Sequence, residues 1–350
     1  MKDIVKKLID FLVSVLPEVV NSYIFTAIRD FDRTKFNKKE LQIPLNVLGT
    51  EFTLQLIEGN SNQISTYYKM YKENSIYEET MVYLLDELLD SDLLTKKNRE
   101  TVFFDIGAYA GYYSNFVAKK LKSNSSVFAI ESNPIYYQNM IETNRLNNFD
   151  NLFIHNEIFS NKKELMLAHE EMVATRETVV KQSNKAMTYH EKRELNNILR
   201  NGKKLNSITL DNFCAERNIN PSILKIDVHG SEGKVLEGSR DFLDNSVQAI
   251  FLELHQQHEL NKYSDGMSKY EILNLLYEKD FNTHLISPFR YNEKNIEYQL
   301  FKETGKLLKL KIDKSNYREI LFDRNNTDLF ILCTKRDINI ENLDCLSALN

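Results

Sequence analysis

Cysteine is scarce in this chain of 350 residues, and Cys214, Cys333 and Cys345 stand at no metal-binding or redox spacing. That excludes a cysteine metal centre or a dithiol motif and suits a reducing cytoplasm. Basic charge is not in excess either: 45 Lys and Arg against 50 Asp and Glu give a formal net charge of −5. The positive residues are scattered among acidic ones, so the basic stripe of a nucleic-acid partner is missing and none is expected. No run supplies the roughly 20 apolar residues of a spanning helix. The amino-terminal stretch that comes nearest is broken by Asp3, Lys6, Lys7, Asp10 and Glu18, and the expectation is neither a spanning segment nor a cleaved leader. Internal repeats and low-complexity tracts are absent as well. What remains, at 42% hydrophobic, has the makeup of a soluble, cytoplasmic, enzyme-sized chain of one large or two modest domains.

The most informative stretch is residues 102–114, VFFDIGAYAGYYS, an apolar strand that ends on a carboxylate and turns through two glycines into a helix. Gly107 and Gly111 permit a tight turn and let backbone N–H groups approach a ligand, while Asp105 fixes a negative charge at the strand end. That charge discriminates between nucleotide-type cofactors. It would repel a pyrophosphate and attract the ammonium of a bound amino acid, such as the methionine part of S-adenosylmethionine. Gly107, Ala108, Tyr109, Gly111 and Tyr113 are therefore the expected cradle. Glu131 closes the next apolar run, 20 positions after Gly111, where a carboxylate can accept hydrogen bonds from both ribose hydroxyls. Ser132, Asn156 and Asp227 complete the expected cofactor set. The plainer alternative makes Asp105 a turn cap and Glu131 a solvated strand end.

From residue 102 onward strands at 102–105, 127–131, 152–155, 222–227, 249–254, 281–286 and 328–333 alternate with helices at 112–121, 134–147, 231–243 and 269–279. Such alternation means an α/β fold with a doubly wound, Rossmann-like sheet. Ligands of such sheets lie at the carboxyl ends of the strands, so Asp105, Glu131, Asn156, Asp227 and His255 can converge although far apart in sequence. The expected division is an extension over 1–95, a catalytic domain over 96–335 with insertions near 170–206 and 287–326, and a tail over 336–350. The insertions are long enough to lie over the active face.

Within the extension, Ile4, Leu8, Phe11, Leu12, Val15 and Val19 recur at helical spacing, with Pro17 as a kink. Packing on the catalytic domain or on another subunit is the first expectation, and docking on a membrane surface or a partner enzyme the second. Residues 45–57 read as a hairpin around Gly49-Thr50 that could lid the cleft, and 77–89 as a helix with Glu78 or Glu79 within reach of the cofactor.

A second landmark is ILKIDVHGSEGKVLEG at 223–238, where a strand ends on Lys225 and Asp227 and a glycine again precedes a helix. Lys225, Asp227, His229 and Glu232, with His255 from the next strand end, could orient an acceptor hydroxyl and take its proton. Methyl transfer is an in-line displacement at a sulfonium carbon, so the protein must mainly align the nucleophile and remove its proton.

VFFDIGAYAGYYS, SITLDNF, ILKIDVHGSEGKVLEG and IFLELH together resemble the FkbM family of S-adenosylmethionine-dependent methyltransferases, over about residues 77–286. The resemblance implies a seven-stranded methyltransferase sheet and O-methylation of a hydroxyl, often on a sugar or a polyketide-type natural product. It implies cofactor contacts at Asp105, Gly107, Gly111 and Glu131, and a catalytic edge at Asp227 and Glu232. The chain departs from the pattern at Tyr109, where a small or amide residue is usual, and at His229, where a carboxylate or amide is usual. His229 is thus a candidate base, with Asp227, Glu232 and His255 as alternatives.

Asp227, Glu253 and His255 have the ligand types for a divalent ion, but no metal is expected. Two other classes stay open. A nicotinamide-dependent dehydrogenase is disfavoured because its fingerprint begins with glycine where Asp105 and Ile106 stand. A scaffold that retains the fold is opposed by the full set of polar strand-end residues. The acceptor and the oligomeric state are not written in these residues.

Overall fold

A computed structural model describes residues 40–57, 61–90, 100–121, 125–169, 172–174, 198–286, 309–317 and 327–336, with isolated positions between 179 and 196 and between 303 and 324. Hairpin strands β1 (Glu40–Val47) and β2 (Thr50–Ile57) precede helices α1 (Ser61–Glu73) and α2 (Glu79–Asp90). Strand and helix then alternate through β3 (Thr101–Ile106), α3 (Tyr112–Leu121), β4 (Ser125–Ile130), α4 (Pro134–Asn147) and β5 (Leu152–His155). Short strands β6 (Ile158–Phe159), β7 (Leu165–His169), β8 (Met172–Ala174) and β9 (Lys203–Ile208) form a separate small sheet. The chain continues through α5 (Leu210–Arg217), β10 (Ile223–Ile226), α6 (Glu232–Glu237), α7 (Arg240–Asn245), β11 (Ala249–Leu254) and α8 (Gln257–Tyr263). Last come α9 (Lys269–Glu278), β12 (Phe281–Ile286), β13 (Lys309–Ile312) and β14 (Leu329–Lys335).

The main sheet has eight strands in the order β13-β12-β14-β11-β10-β3-β4-β5. Its centre, β11 through β5, is parallel, and β14 runs antiparallel between β11 and β12. Parallel strands covered on both faces read as unbroken apolar runs, and every residue of β3 and of β11 is buried. Successive side chains leave opposite faces. Phe103 therefore joins the core under β1, β2, α2 and α3, while Phe104 joins the opposite core and stacks on Phe128 at 4.7 Å.

All seven strands expected from the alternation are in this sheet. The eighth, β13, pairs antiparallel with β12 and falls inside the stretch read as an insertion. A four-residue KLKI segment is too short to carry a periodic signal, so the expected seven strands become eight.

Topology positions the site. The chain lays down β3, β4 and β5 outward, then returns across β3 to place β10 and β11 on the other side. The connections that leave the carboxyl ends of β3 and β10 thus run in opposite directions along the sheet, which makes a switch point, where open α/β sheets bind ligands.

Two readings of local structure need correction. The hairpin does not lid the cleft: β2 lies on α4, where Asn147 Oδ1 accepts from Thr53 N at 2.8 Å and Thr143 Oγ1 accepts from Gln55 N at 2.8 Å. These side chains occupy a strand edge that would otherwise be open. The helix read over 231–243 is broken at Gly238-Ser239, where Gly238 O accepts from Asp211 N at 3.0 Å. The Thr-Leu-Asp segment is structural: Thr209 caps α5, and the Asp211 carboxylate accepts from Asp241 N at 3.0 Å and Phe242 N at 3.2 Å at the start of α7.

Among the described residues no helix is long and apolar enough to cross a membrane. The amino-terminal stripe, most of the two polar insertions and the tail lie outside the described residues.

Candidate active site

The loop after β3 needs its glycines for different reasons. Gly107 has φ +82° and lies so close to the end of β10 that a Cβ there would stand 1.8 Å from Asp227 O. Gly111 has φ +77°, and a Cβ there would stand 2.9 Å from Asn115 Nδ2 and 3.0 Å from Met140 Cγ. Between them Tyr109 takes φ +53° without being glycine, at a cost of about 1 kcal/mol or more. Its amide is held by Glu131 Oε2 at 2.8 Å, and its ring meets Tyr136 edge to face at 4.6 Å. Neighbouring strand ends remain laced, with Gly107 N and Ala108 N both donating to Ile130 O at 3.0 Å.

Glu131 is the pivot of this corner. Its Oε1 accepts from Asn133 N at 2.7 Å while Oε2 holds Tyr109 N. Burial raises its pKa to about 7, against the lowering effect of those two N–H groups. Asn156 does not line the cavity but braces it, donating to Glu131 O at 2.7 Å and Ser132 O at 2.9 Å.

The cavity lies at the switch point and is lined by Gly107, Ala108, Tyr109, Tyr113, Glu131 and Ser132 on one side and by Lys225, Asp227 and His229 on the other. Asp105 and Gly111 stand behind this wall. Asp105 is 1% exposed; its Oδ2 accepts from Ser114 Oγ at 2.6 Å and Ser114 N at 3.2 Å, and its Oδ1 lies 3.6 Å from Lys225 Nζ. Burial raises its pKa, opposed chiefly by Lys225. Its charge is partly balanced by Ser114 and Lys225, and Asp105 is not itself among the residues that line the cavity.

Lys225 donates to Asp227 Oδ2 at 3.4 Å and its ammonium lies 5.1 Å from the centre of the Tyr113 ring. Burial alone disfavours that charge, but Asp227 and Asp105, with Glu78 and Glu253 behind them, outweigh it and raise the pKa above the usual lysine value.

At the second edge the chain turns sharply after Asp227, with His229 at φ +49° and exposed. Glu232 is wholly buried under this turn, where its Oε1 accepts from Gly230 N at 3.0 Å and lies 2.8 Å from His255 Nδ1. Neither Glu232 nor His255 lines the cavity. Burial disfavours the imidazolium of His255, but the bond to Glu232 and the charges of Glu232, Asp227 and Glu253 overcome it and raise the pKa to about 10. His255 is thus tied to the Glu232 carboxylate inside the protein. Both residues thus act behind the wall, leaving Asp227 and His229 as the groups of the expected catalytic set, beside Lys225, that face the cavity.

Several lining residues have no place in the sequence reading. Tyr67 and Tyr77 come from α1 and the turn before α2, and Met166 and Val173 from the β7–β8 pair. Of the pair expected within reach of the cofactor, Glu78 lines the cavity, at φ +49°, and accepts from Tyr113 Oη at 2.7 Å, and Glu79 does not line it. The five lining carboxylates, Glu78, Glu131, Glu157, Asp227 and Glu253, outnumber the two lining ammonium groups, Lys225 and Lys234. Lys234 is itself paired with Asp265 at 3.0 Å. The chamber suits a positively charged ligand and opposes a pyrophosphate.

The strand order, the switch-point cavity and the acidic strand ends define the class: a methyltransferase of the S-adenosylmethionine-dependent fold. The profile of the methyltransferase FkbM domain matches residues 105–283, and the chain belongs to that family. A crystal structure of a methyltransferase FkbM from Methylobacillus flagellatus KT is similar, with 14% identity and a TM-score of 0.36 over 54% of this chain and 40% of that one. The chain thus spans less than half of that relative's length. An S-adenosylmethionine-dependent methyltransferase from Agrobacterium tumefaciens has 10% identity and a TM-score of 0.39, covering 87% of this chain and 80% of its own. TYW2 of M. jannaschii, solved in complex with AdoMet, has 12% identity and a TM-score of 0.35, covering 85% of this chain and 86% of its own. A search of curated proteins finds no match.

Proposed function

We propose that this chain methylates a hydroxyl of a sugar, glycan or natural-product acceptor, with S-adenosylmethionine as donor. The observation that carries the reading is the cavity wall itself, where Glu131 and the glycine loop face Asp227 and His229 across a chamber with more carboxylates than ammonium groups. A cofactor that bears a sulfonium and an ammonium fits that balance, and a dinucleotide does not. S-adenosylmethionine supplies a methyl carbon on a positively charged sulfur, open to in-line displacement by an oxygen nucleophile.

The residues divide the remaining work. Glu131 is placed to accept from ribose hydroxyls, and Gly107 lets the backbone come close. Tyr109 and Tyr136 offer flat apolar faces beside it, suited to a base. Asp227 and His229 form the edge that receives the acceptor hydroxyl, and its proton leaves there. Tyr67, Tyr77 and Tyr113 add an aromatic character to the cavity wall that suits the apolar face of a sugar ring.

The test is incubation of the chain with S-adenosylmethionine and a panel of sugars, glycans and polyketide alcohols, with product analysis by mass spectrometry. A methyl ether formed with one equivalent of S-adenosylhomocysteine is expected. Methylation at nitrogen or carbon would overturn the hydroxyl assignment.

A further inference from the structure

We propose that Asp227, His229 and His255 form a binding site for a divalent transition-metal ion at the acceptor edge of the cavity. A carboxylate oxygen of Asp227 and one ring nitrogen of each histidine lie within 4.8 Å of one another. The two imidazole rings are 4.7 Å apart, centre to centre. Ligands around a single ion at about 2.1 Å stand roughly 3 to 3.5 Å from each other, so a small inward turn of the exposed His229 side chain closes the set.

The second observation is the way His255 is held. Its Nδ1 is 2.8 Å from Glu232 Oε1, and Glu232 is itself anchored by Gly230 N at 3.0 Å. A carboxylate bound to the far ring nitrogen is the arrangement that orients a metal-ligating histidine and strengthens it as a donor. The ring is thereby fixed with Nε2 directed at the cluster, and a bound ion takes the place of the Nε2 proton, which leaves to solvent. His255 is 4% exposed, and among the described residues Nε2 has no hydrogen-bond partner: its nearest acceptors, Asp227 Oδ1 and Glu253 Oε1, are 3.8 and 3.9 Å away. That separation is too long for a bond and leaves room for an ion between them.

Two imidazoles with one carboxylate favour manganese, iron, cobalt, nickel or zinc over magnesium or calcium. Asp227 and His229 line the cavity, so an ion here would leave open positions facing the acceptor. Bound to it, a hydroxyl would lose its proton to solvent water near neutral pH, and its oxygen would be fixed for attack. This role rests on the methyl-transfer reading, whereas the metal site does not.

The experiment titrates the metal-free, untagged chain with Co²⁺ and follows visible absorption, with calorimetric binding of S-adenosylhomocysteine in parallel. One equivalent of Co²⁺ should bind with visible bands that His229→Ala abolishes and His258→Ala leaves intact. Asp227→Asn should weaken Co²⁺ at least about tenfold. His229 is exposed, so its variant tests the site even if His255→Ala fails to fold. Absent bands, or bands unchanged in His229→Ala, would overturn the metal site. If S-adenosylhomocysteine binds under those conditions, the methyltransferase reading survives alone. Cobalt bands that depend on His229, in a chain that does not bind S-adenosylhomocysteine, would uphold the site and remove the reading.

Discussion

The Cα of Gly107 packs against the backbone of Asp227 so closely that a Cβ would stand 1.8 Å from the carbonyl oxygen. The two residues end neighbouring strands, and Asp227 N donates to Ile106 O at 3.0 Å. The glycine loop and the turn after β10 are thus in backbone contact, and the spacing between them is set by the absence of a side chain.

Gly107→Ala should push these strand ends apart and also strain a backbone at φ +82°. A loss of at least about 2 kcal/mol in urea unfolding is expected, together with loss of S-adenosylhomocysteine binding. A variant of normal stability and affinity would show that the contact is not rigid.

Asp105→Ala should destabilise the fold as well as the site. Read from sequence, Asp105 is a cofactor group whose removal spares the fold. Its 1% exposure, its bonds to Ser114 and its approach to Lys225 say otherwise. Removing one member of a buried charge pair costs about 3 kcal/mol, because the other is left without its partner. Thermal and urea unfolding compared with Asp105→Asn separate the charge from the hydrogen bond, and an Asp105→Ala chain as stable as the parent would contradict the buried-pair assignment.

Cofactor affinity should depend on pH through Glu131. With its pKa at about 7 in the ligand-free chain, the carboxyl carries a proton in mild acid and then has fewer lone pairs for ribose hydroxyls. Affinity for S-adenosylhomocysteine should therefore rise as pH increases through about 7, with proton release on binding. For stability the sign is opposite. A carboxyl whose folded pKa is raised contributes fully below its unfolded value, and that contribution is lost as pH climbs through about 7. Calorimetry in buffers of different ionisation enthalpy measures the proton, and Glu131→Gln should flatten the profile.

Asp211→Ala separates motif from mechanism. Since Asp211 caps α7 through Asp241 N and Phe242 N, its loss should cost about 1 kcal/mol and leave S-adenosylhomocysteine affinity unchanged. A marked fall in affinity with intact stability would instead bring the Thr-Leu-Asp segment into the site.

The fold was legible where burial leaves an apolar run, as in VFF of β3 and AIFL of β11, and where glycine and acid mark a strand end. β13 escaped because four residues carry no period. Sequence also located Glu131, Asp227 and His229 at the cavity, since a polar group at a strand end of a doubly wound sheet has few other places to be. It did not distinguish lining from support: Asp105 and His255 at strand ends, and Glu232 at the start of α6, sit one layer deeper, a matter of side-chain packing. The aromatic wall was hidden because Tyr67 and Tyr77 reach the cavity through a tertiary contact of α1 and α2, outside the alternating core. The positive φ of Glu78 and Tyr109 left no trace in residue type, since neither is a residue that favours the left-handed region.

The most direct measurement is calorimetric binding of S-adenosylhomocysteine and of NAD to the purified chain. One equivalent of S-adenosylhomocysteine per chain, with no heat from NAD, is the expected result. Binding of NAD would contradict the acidic-chamber argument, and binding of neither would point to a scaffold built on a methyltransferase fold.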